Sequence, residues 1–138
     1  MDDLVQWLRA QLDEDERIAR AATPGPWEQD EPERCDFLRS GDGYVVDCGG
    51  SRAPRENAQH VARHDPARVL REIDAKRQLL DEHKPDRPKG RPNMERHCLT
   101  CTTAQAWDET AREANCLTLQ LLALPYEDRP GYREGWRP

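Results

Sequence analysis

Aromatic residues are scarce in this sequence: its 138 residues include one phenylalanine, three tyrosines and four tryptophans. Only 36% of the chain is hydrophobic, against 35% charged. Such a chain buries a modest core, and small cores commonly need a staple such as a metal ion or a disulfide. Long apolar runs are absent, and nothing approaches the roughly twenty apolar residues that span a bilayer. No apolar segment follows a basic amino terminus, so no secretory signal is read. The expectation is a cytoplasmic protein without membrane association. Catalytic signatures are missing too. There is no phosphate-binding glycine loop, no nucleophile elbow, no serine triad pattern and no His-Glu-x-x-His, so no motif argues for an enzyme.

Charge is plentiful but unevenly placed. The net charge is −6, which argues against general nucleic-acid affinity, because that affinity rests on neutralising phosphates. Residues 1–34 hold ten acidic and four basic side chains, and the remainder balances at seventeen of each. Five cysteines, an odd number, suit a reducing compartment better than a disulfide framework. Reduced thiols are available to metal.

The length fits a single domain over residues 1–138, with a helix–hairpin–helix part at 1–83 and a metal-binding part at 84–138. Leu4, Leu8 and Leu12 recur every four residues, with Val5 and Trp7 beside them, and predict an amphipathic helix over 2–21. Asp2 or Asp3 can cap it. Asp13, Glu14, Asp15, Glu16 and Arg17 form its solvated face. Thr23-Pro24-Gly25-Pro26 stops it. Cys35–Leu38 and Tyr44–Asp47 are predicted to pair as a hairpin around Gly41-Asp42-Gly43. A helical stretch over 55–83 is broken by Pro66, with Asp65 capping the restart. Val69, Leu70, Ile73, Leu79 and Leu80 supply its apolar stripe. The proline- and charge-rich loop 84–96 is predicted to lack regular structure. A last helix at about 115–124, with a start as early as Trp107, places Leu117, Leu121 and Leu124 on one face. An extended aromatic tail from Tyr126 to Trp136 follows.

The strongest chemical signal is His83, Cys98, Cys101 and Cys116. Cys98-Leu99-Thr100-Cys101 is a C-x-x-C knuckle, whose spacing lets both sulfurs turn toward one point about 2.3 Å from a tetrahedral zinc ion. Fourteen residues separate Cys101 from Cys116, and fourteen separate His83 from Cys98. Three cysteines and one histidine thus close two loops of similar size around one Zn2+. Cys116 lies near a helix start, where free amides and the helix dipole favour a thiolate. His97 is the alternative fourth ligand, but it adjoins Cys98 and neighbouring side chains point apart. Three unrelated buried thiols, or a redox C-x-x-C, are the competing explanations. A catalytic zinc is disfavoured because four protein ligands leave no open position. The deaminase pattern also fails, since Pro85 stands where a glutamate is needed after His83.

Weaker groupings complete the inventory. His60 and His64 share a helical face and can bind metal, but no third ligand is placed beside them, so local packing explains them more simply. Cys35 and Cys48 can face each other across the hairpin, as buried thiols or as a second metal or redox pair. The loop from Lys84 to Arg96 has five basic residues and two acidic ones. It can touch phosphates, yet no aromatic residues interleave its charges for base stacking. The aromatic tail can dock on the domain itself or on a partner.

Three motifs carry a resemblance. They are Ala22-Thr23-Pro24-Gly25-Pro26-Trp27, His60-Val61-Ala62-Arg63-His64-Asp65-Pro66-Ala67-Arg68-Val69-Leu70, and Leu117 to Tyr126 with the Arg129-Pro130-Gly131-Tyr132 tail. Together they resemble a family of small actinobacterial and phage proteins, the domain of unknown function 6221. The likeness covers nearly the whole chain, and it implies the same cysteine and histidine pattern at His83, Cys98, Cys101 and Cys116. It implies no substrate. The expectation is an α+β domain, rich in helix, with a short β-hairpin and a C-terminal zinc knuckle. Its expected role is that of a non-catalytic regulatory or interaction module whose partner is another protein. A nucleic-acid-binding regulator using the basic loop and a metal-dependent hydrolase are the alternatives.

Overall fold

The computed structural model describes residues 2–29, 37–41, 43–50, 52–93, 96–101 and 116–138. Among these, the fold is α+β: helices α1 (Asp2–Ala21), α2 (Pro54–Arg63), α3 (Pro66–His83) and α4 (Leu117–Ala123), with strands β1 (Glu28–Gln29), β2 (Phe37–Ser40) and β3 (Gly43–Asp47). The chain divides into two compact units, Met1–Asp13 with Ala75–Pro138, and Glu14–Asp74.

In the Glu14–Asp74 unit, the expected hairpin is present and gains a third strand. The sheet is antiparallel in the order β1-β2-β3. Glu28 pairs with Arg39 and Gln29 with Leu38. The hairpin closes at Ser40 and Gly43, and a register shift falls between Leu38 and Arg39. Gly41 adopts φ +57 in the turn, which only glycine accepts without strain. Leu38, Cys48 and Ala58 form a buried cluster with Trp27, Val46, Val61 and Ala62 against it. Cys48 therefore packs as a small hydrophobe. Its suggested partner Cys35 lies outside the described residues.

Asp65 organises the break between α2 and α3. The Arg68 backbone N–H donates to its Oδ1 at 2.7 Å, capping α3 as the sequence predicts, while Pro66 occupies the first helical position. The Trp27 N–H donates to Oδ2 of the same carboxylate at 3.1 Å. A Cβ on Gly25 would lie 2.7 Å from that oxygen, so the proline turn approaches the cap as closely as it does because residue 25 has no side chain. The Arg68 guanidinium donates to the Arg63 carbonyl at 2.9 Å and so satisfies a carbonyl at the end of α2.

In the other unit, Leu4, Val5, Leu8 and Leu12 of α1 are buried, as their spacing requires. The tail is not extended. It turns through two 3-10 segments, Leu124–Tyr126 and Glu134–Trp136, and packs on Trp7. The Trp7 ring meets those of Tyr126, Tyr132 and Trp136 at centroid separations of 6.4, 5.7 and 5.2 Å. Its Nε1–H donates to the Pro130 carbonyl at 3.1 Å. Gly131 has φ +85 and passes so close that a Cβ would stand 3.0 Å from Trp7 Nε1. A chain with so few aromatics gathers three of them around a fourth, Trp7.

In two helices, packing buries only some of the apolar positions. In α4, Leu119 and Ala123 are buried, whereas Leu117 and Leu121 are 56% and 52% exposed. Residues two apart lie on opposite sides of a helix, so the leucines at 117, 119 and 121 offered two faces and packing chose the other. In α3, Ile73 and Leu80 are buried but Leu79 is 45% exposed. Residue 80 repeats the position of residue 73 after two turns, and residue 79 falls off that line.

Replacing Asp65 with alanine removes both a cap and the acceptor of the Trp27 N–H. The expected cost is about 2 kcal/mol in a urea denaturation series. Gly131→Ala forces a side chain into a left-handed conformation against Trp7. It is expected to cost about 1–2 kcal/mol and to alter the near-ultraviolet signal of the aromatic cluster.

Candidate metal centre

Three segments of the Met1–Asp13/Ala75–Pro138 unit converge at one point. His83 is the last residue of α3, Cys98 and Cys101 bracket the knuckle, and Cys116 immediately precedes α4 as its N-cap residue. The loop after His83 is irregular except for one feature absent from the sequence expectation. Asp86 and His97 form an antiparallel bridge, with N–H to carbonyl distances of 2.9 and 3.1 Å. Pro85 is fully buried, and the Arg96 guanidinium donates to its carbonyl at 2.8 Å. The bridge folds the proline-rich loop back so that Cys98 returns to the end of α3. The Thr100 hydroxyl completes the connection by donating to the Glu82 carbonyl at 2.8 Å, which satisfies an orphan group at the α3 C-terminus.

His83 Nδ1 lies 3.5 Å from Cys98 Sγ, 3.3 Å from Cys101 Sγ and 3.6 Å from Cys116 Sγ. Cys101 and Cys116 sulfurs are 3.5 Å apart. All four donor atoms fall within 4.8 Å of one another. A tetrahedral zinc ion with Zn–S of about 2.3 Å and Zn–N of about 2.0–2.1 Å requires edges near 3.6 Å for S···N and near 3.8 Å for S···S. The three S···N edges and the Cys101–Cys116 edge agree with these to within a few tenths of an ångström. This donor set can hold a metal ion, and the imidazole nitrogen turned toward the sulfurs is Nδ1.

The electrostatics distinguish the thiols. Burial pushes the Cys116 thiol up, but the Leu119 and Thr118 amides of α4 and the hydrogen bonds from Cys101 and Cys98 outweigh it. Its pKa therefore lies below the ordinary cysteine value. Cys101 moves the opposite way. Loss of hydration at its sulfur, which turns toward the other donors although the residue is exposed, acts with the neighbouring sulfurs to push it up to about 11. The amides at the helix start thus favour the thiolate at Cys116.

The other groupings fall elsewhere. His97 is buried and stands outside the four-donor group. The His60 and His64 rings lie 4.3 Å apart between centroids, tilted by 36°. His64 Nδ1 lies 2.7 Å from the His60 carbonyl, so that nitrogen carries the proton and donates it. Among the described residues, no third metal-ligating side chain joins this pair. His64 instead borders a cavity of about 360 Å³ walled by Ile18, Ala22, Trp27 and Val69. In the basic loop, Arg96 pairs with Asp2 at 3.0 Å and Lys84 with Asp81 at 3.6 Å. The Thr100 contact and the Asp86–His97 bridge had no signal in the sequence, because each joins residues more than ten positions apart without a periodic pattern.

Fold and cluster together define a small α+β protein with a candidate metal centre of three cysteines and one histidine. The chain belongs to a family of unknown function (DUF6221), whose model matches residues 1–138. No curated protein matches it, and no solved structure does. No helix among the described residues is long and apolar enough to cross a membrane.

Metal binding requires thiolates, and loss of hydration with the neighbouring sulfurs pushes the Cys101 thiol up to about 11. Binding near neutrality must therefore expel that proton. Affinity is expected to rise as pH rises, about tenfold per pH unit for each proton displaced. Competition titrations across the neutral range, with calorimetry in buffers of different ionisation enthalpy, measure this.

Proposed function

We propose that the protein binds one structural zinc ion through His83, Cys98, Cys101 and Cys116 and serves as a non-catalytic interaction or regulatory module. The observation that supports the reading is the agreement of the three S···N edges and the Cys101–Cys116 S···S edge with a closed zinc tetrahedron. Three soft thiolates with one imidazole suit zinc, and four protein ligands leave no position for an activated water. The cytoplasm, where thiols stay reduced, fits this chemistry. The family resemblance favours an actinobacterial or phage setting.

A protein partner is supported by what surrounds the ligands. Leu99 follows Cys98 in sequence and is 42% exposed, while Leu117 follows Cys116 and is exposed together with Leu121. The ion would fix these apolar side chains in place, and exposed apolar residues held rigidly suit protein recognition.

Purified protein is expected to contain one zinc per chain by elemental analysis. Structural zinc contributes roughly 10–16 kcal/mol of apparent binding energy near neutral pH, and that energy is folding energy. A strong chelator is therefore expected to lower the thermal midpoint and the helical circular dichroism. Single alanine replacements of His83, Cys98 or Cys116 should abolish tight binding, whereas His97→Ala should retain it. A metal-free chain whose melt is indifferent to added zinc rejects the proposal.

A further inference from the structure

The four donors are not equally shielded. Cys98 and Cys116 are 3% and 4% exposed, and His83 is half-buried, but Cys101 is exposed. Oxidation of a cysteine follows thiolate character and access. A zinc-bound sulfur has thiolate character, and among the three cysteines only Cys101 belongs to an exposed residue, so an oxidant reaches its side chain with the least obstruction. The resolving group is already adjacent, since Cys116 Sγ lies 3.5 Å from Cys101 Sγ and a disulfide needs about 2.05 Å.

We propose, building on the zinc reading above, that this centre is a redox-releasable site in which a hydroperoxide oxidises Cys101 and Cys116 resolves it. The Cys101 thiolate attacks the terminal oxygen of the hydroperoxide. The O–O bond breaks, the alkoxide or hydroxide leaves and takes a proton from water, and Cys101 becomes a sulfenic acid. The Cys116 thiolate then attacks that sulfur. The S–S bond forms, the S–O bond breaks, and hydroxide leaves and takes a proton from the solvent. Two electrons pass from the two thiolates to the hydroperoxide. Neither disulfide sulfur is an anionic ligand any longer. Cys98 and His83 alone are too few to hold zinc tightly, and the ion is lost. A dithiol reverses the change by exchange.

Loss of the ion removes the bond between the end of α3 and the start of α4. The new disulfide ties the knuckle to the start of α4, and only the Thr100 contact with Glu82 and the Asp86–His97 bridge still hold that pair to the end of α3. Oxidant thereby loosens the cross-linked knuckle and α4 start, with Leu99, Leu117 and Leu121, from the end of α3.

Zinc-loaded protein treated with hydrogen peroxide, with a chromophoric chelator reporting zinc and peptide mapping reporting disulfides, tests this. The expected result is one zinc released per disulfide formed, a first disulfide joining Cys101 to Cys116, and recovery with dithiothreitol and zinc. Cys101→His keeps a four-donor set without the exposed thiolate, and its zinc release is expected to be about tenfold slower or more. If that variant takes up no zinc, trapping the sulfenic acid in the native chain decides. Trapping at Cys101 supports the inference, and trapping first at Cys98 or Cys116 overturns it. So does a loaded chain that keeps its zinc under excess peroxide, or a first disulfide that includes Cys98. A chain that takes up no zinc before peroxide is added refutes the metal reading instead.

Discussion

Three sulfurs and an imidazole nitrogen gathered within 4.8 Å set the condition that the C-terminal segments must satisfy. Thiolates crowded this closely repel one another unless a cation lies among them, and thiols packed there gain only the modest energy of small apolar groups. A divalent ion turns the same crowding into the strongest contacts available to these residues. Much of what surrounds the cluster works to bring its members together. Thr100 ties the knuckle to the end of α3, the Asp86–His97 bridge folds the loop back, and the position of Cys116 at the start of α4 lends it backbone amides. The proposed ion therefore acts as core for a unit whose apolar content is small.

The Glu14–Asp74 unit meets the same shortage differently. Its key polar group is the Asp65 carboxylate, buried at 7% exposure and shared between the N-terminus of α3 and the Trp27 amide. A buried carboxylate is costly unless its oxygens find donors, and here both do. The proline turn and the helix restart, two distant motifs in the sequence, meet at that one side chain. In the Met1–Asp13/Ala75–Pro138 unit, Trp7 is a second gathering point and the aromatic tail closes over it. Donor cluster, carboxylate and aromatic cluster are each a concentrated contact among the described residues of a chain that is only 36% hydrophobic.

Local features of the fold were legible because they obey local rules. The period-four leucines of α1, the Asp65-Pro66 restart and the glycine turn of the hairpin each depend on neighbours a few residues away. The face of α4 was not legible: Leu117, Leu119 and Leu121 are chemically alike, and only the surface they pack against selects Leu119. Leu79 was misplaced for the same reason, since a continuous apolar pair does not reveal which member faces inward. The tail read as extended because prolines and glycine forbid a long helix. They permit 3-10 turns equally well, and Trp7, more than a hundred residues earlier, supplies the surface that selects them.

The sequence by itself determined the ligand types and the spacing that lets two knuckle sulfurs share a point, because both are matters of covalent reach. It also determined the scarcity of core that makes a staple useful. Only the tertiary structure decided that His83 rather than His97 stands with the three sulfurs, that Nδ1 is the nitrogen turned inward, and that Cys101 alone of the thiols in the cluster is exposed. Those outcomes depend on the direction in which the end of α3 delivers its last side chain and on the path of the returning loop. Both are set by contacts between residues far apart in the chain.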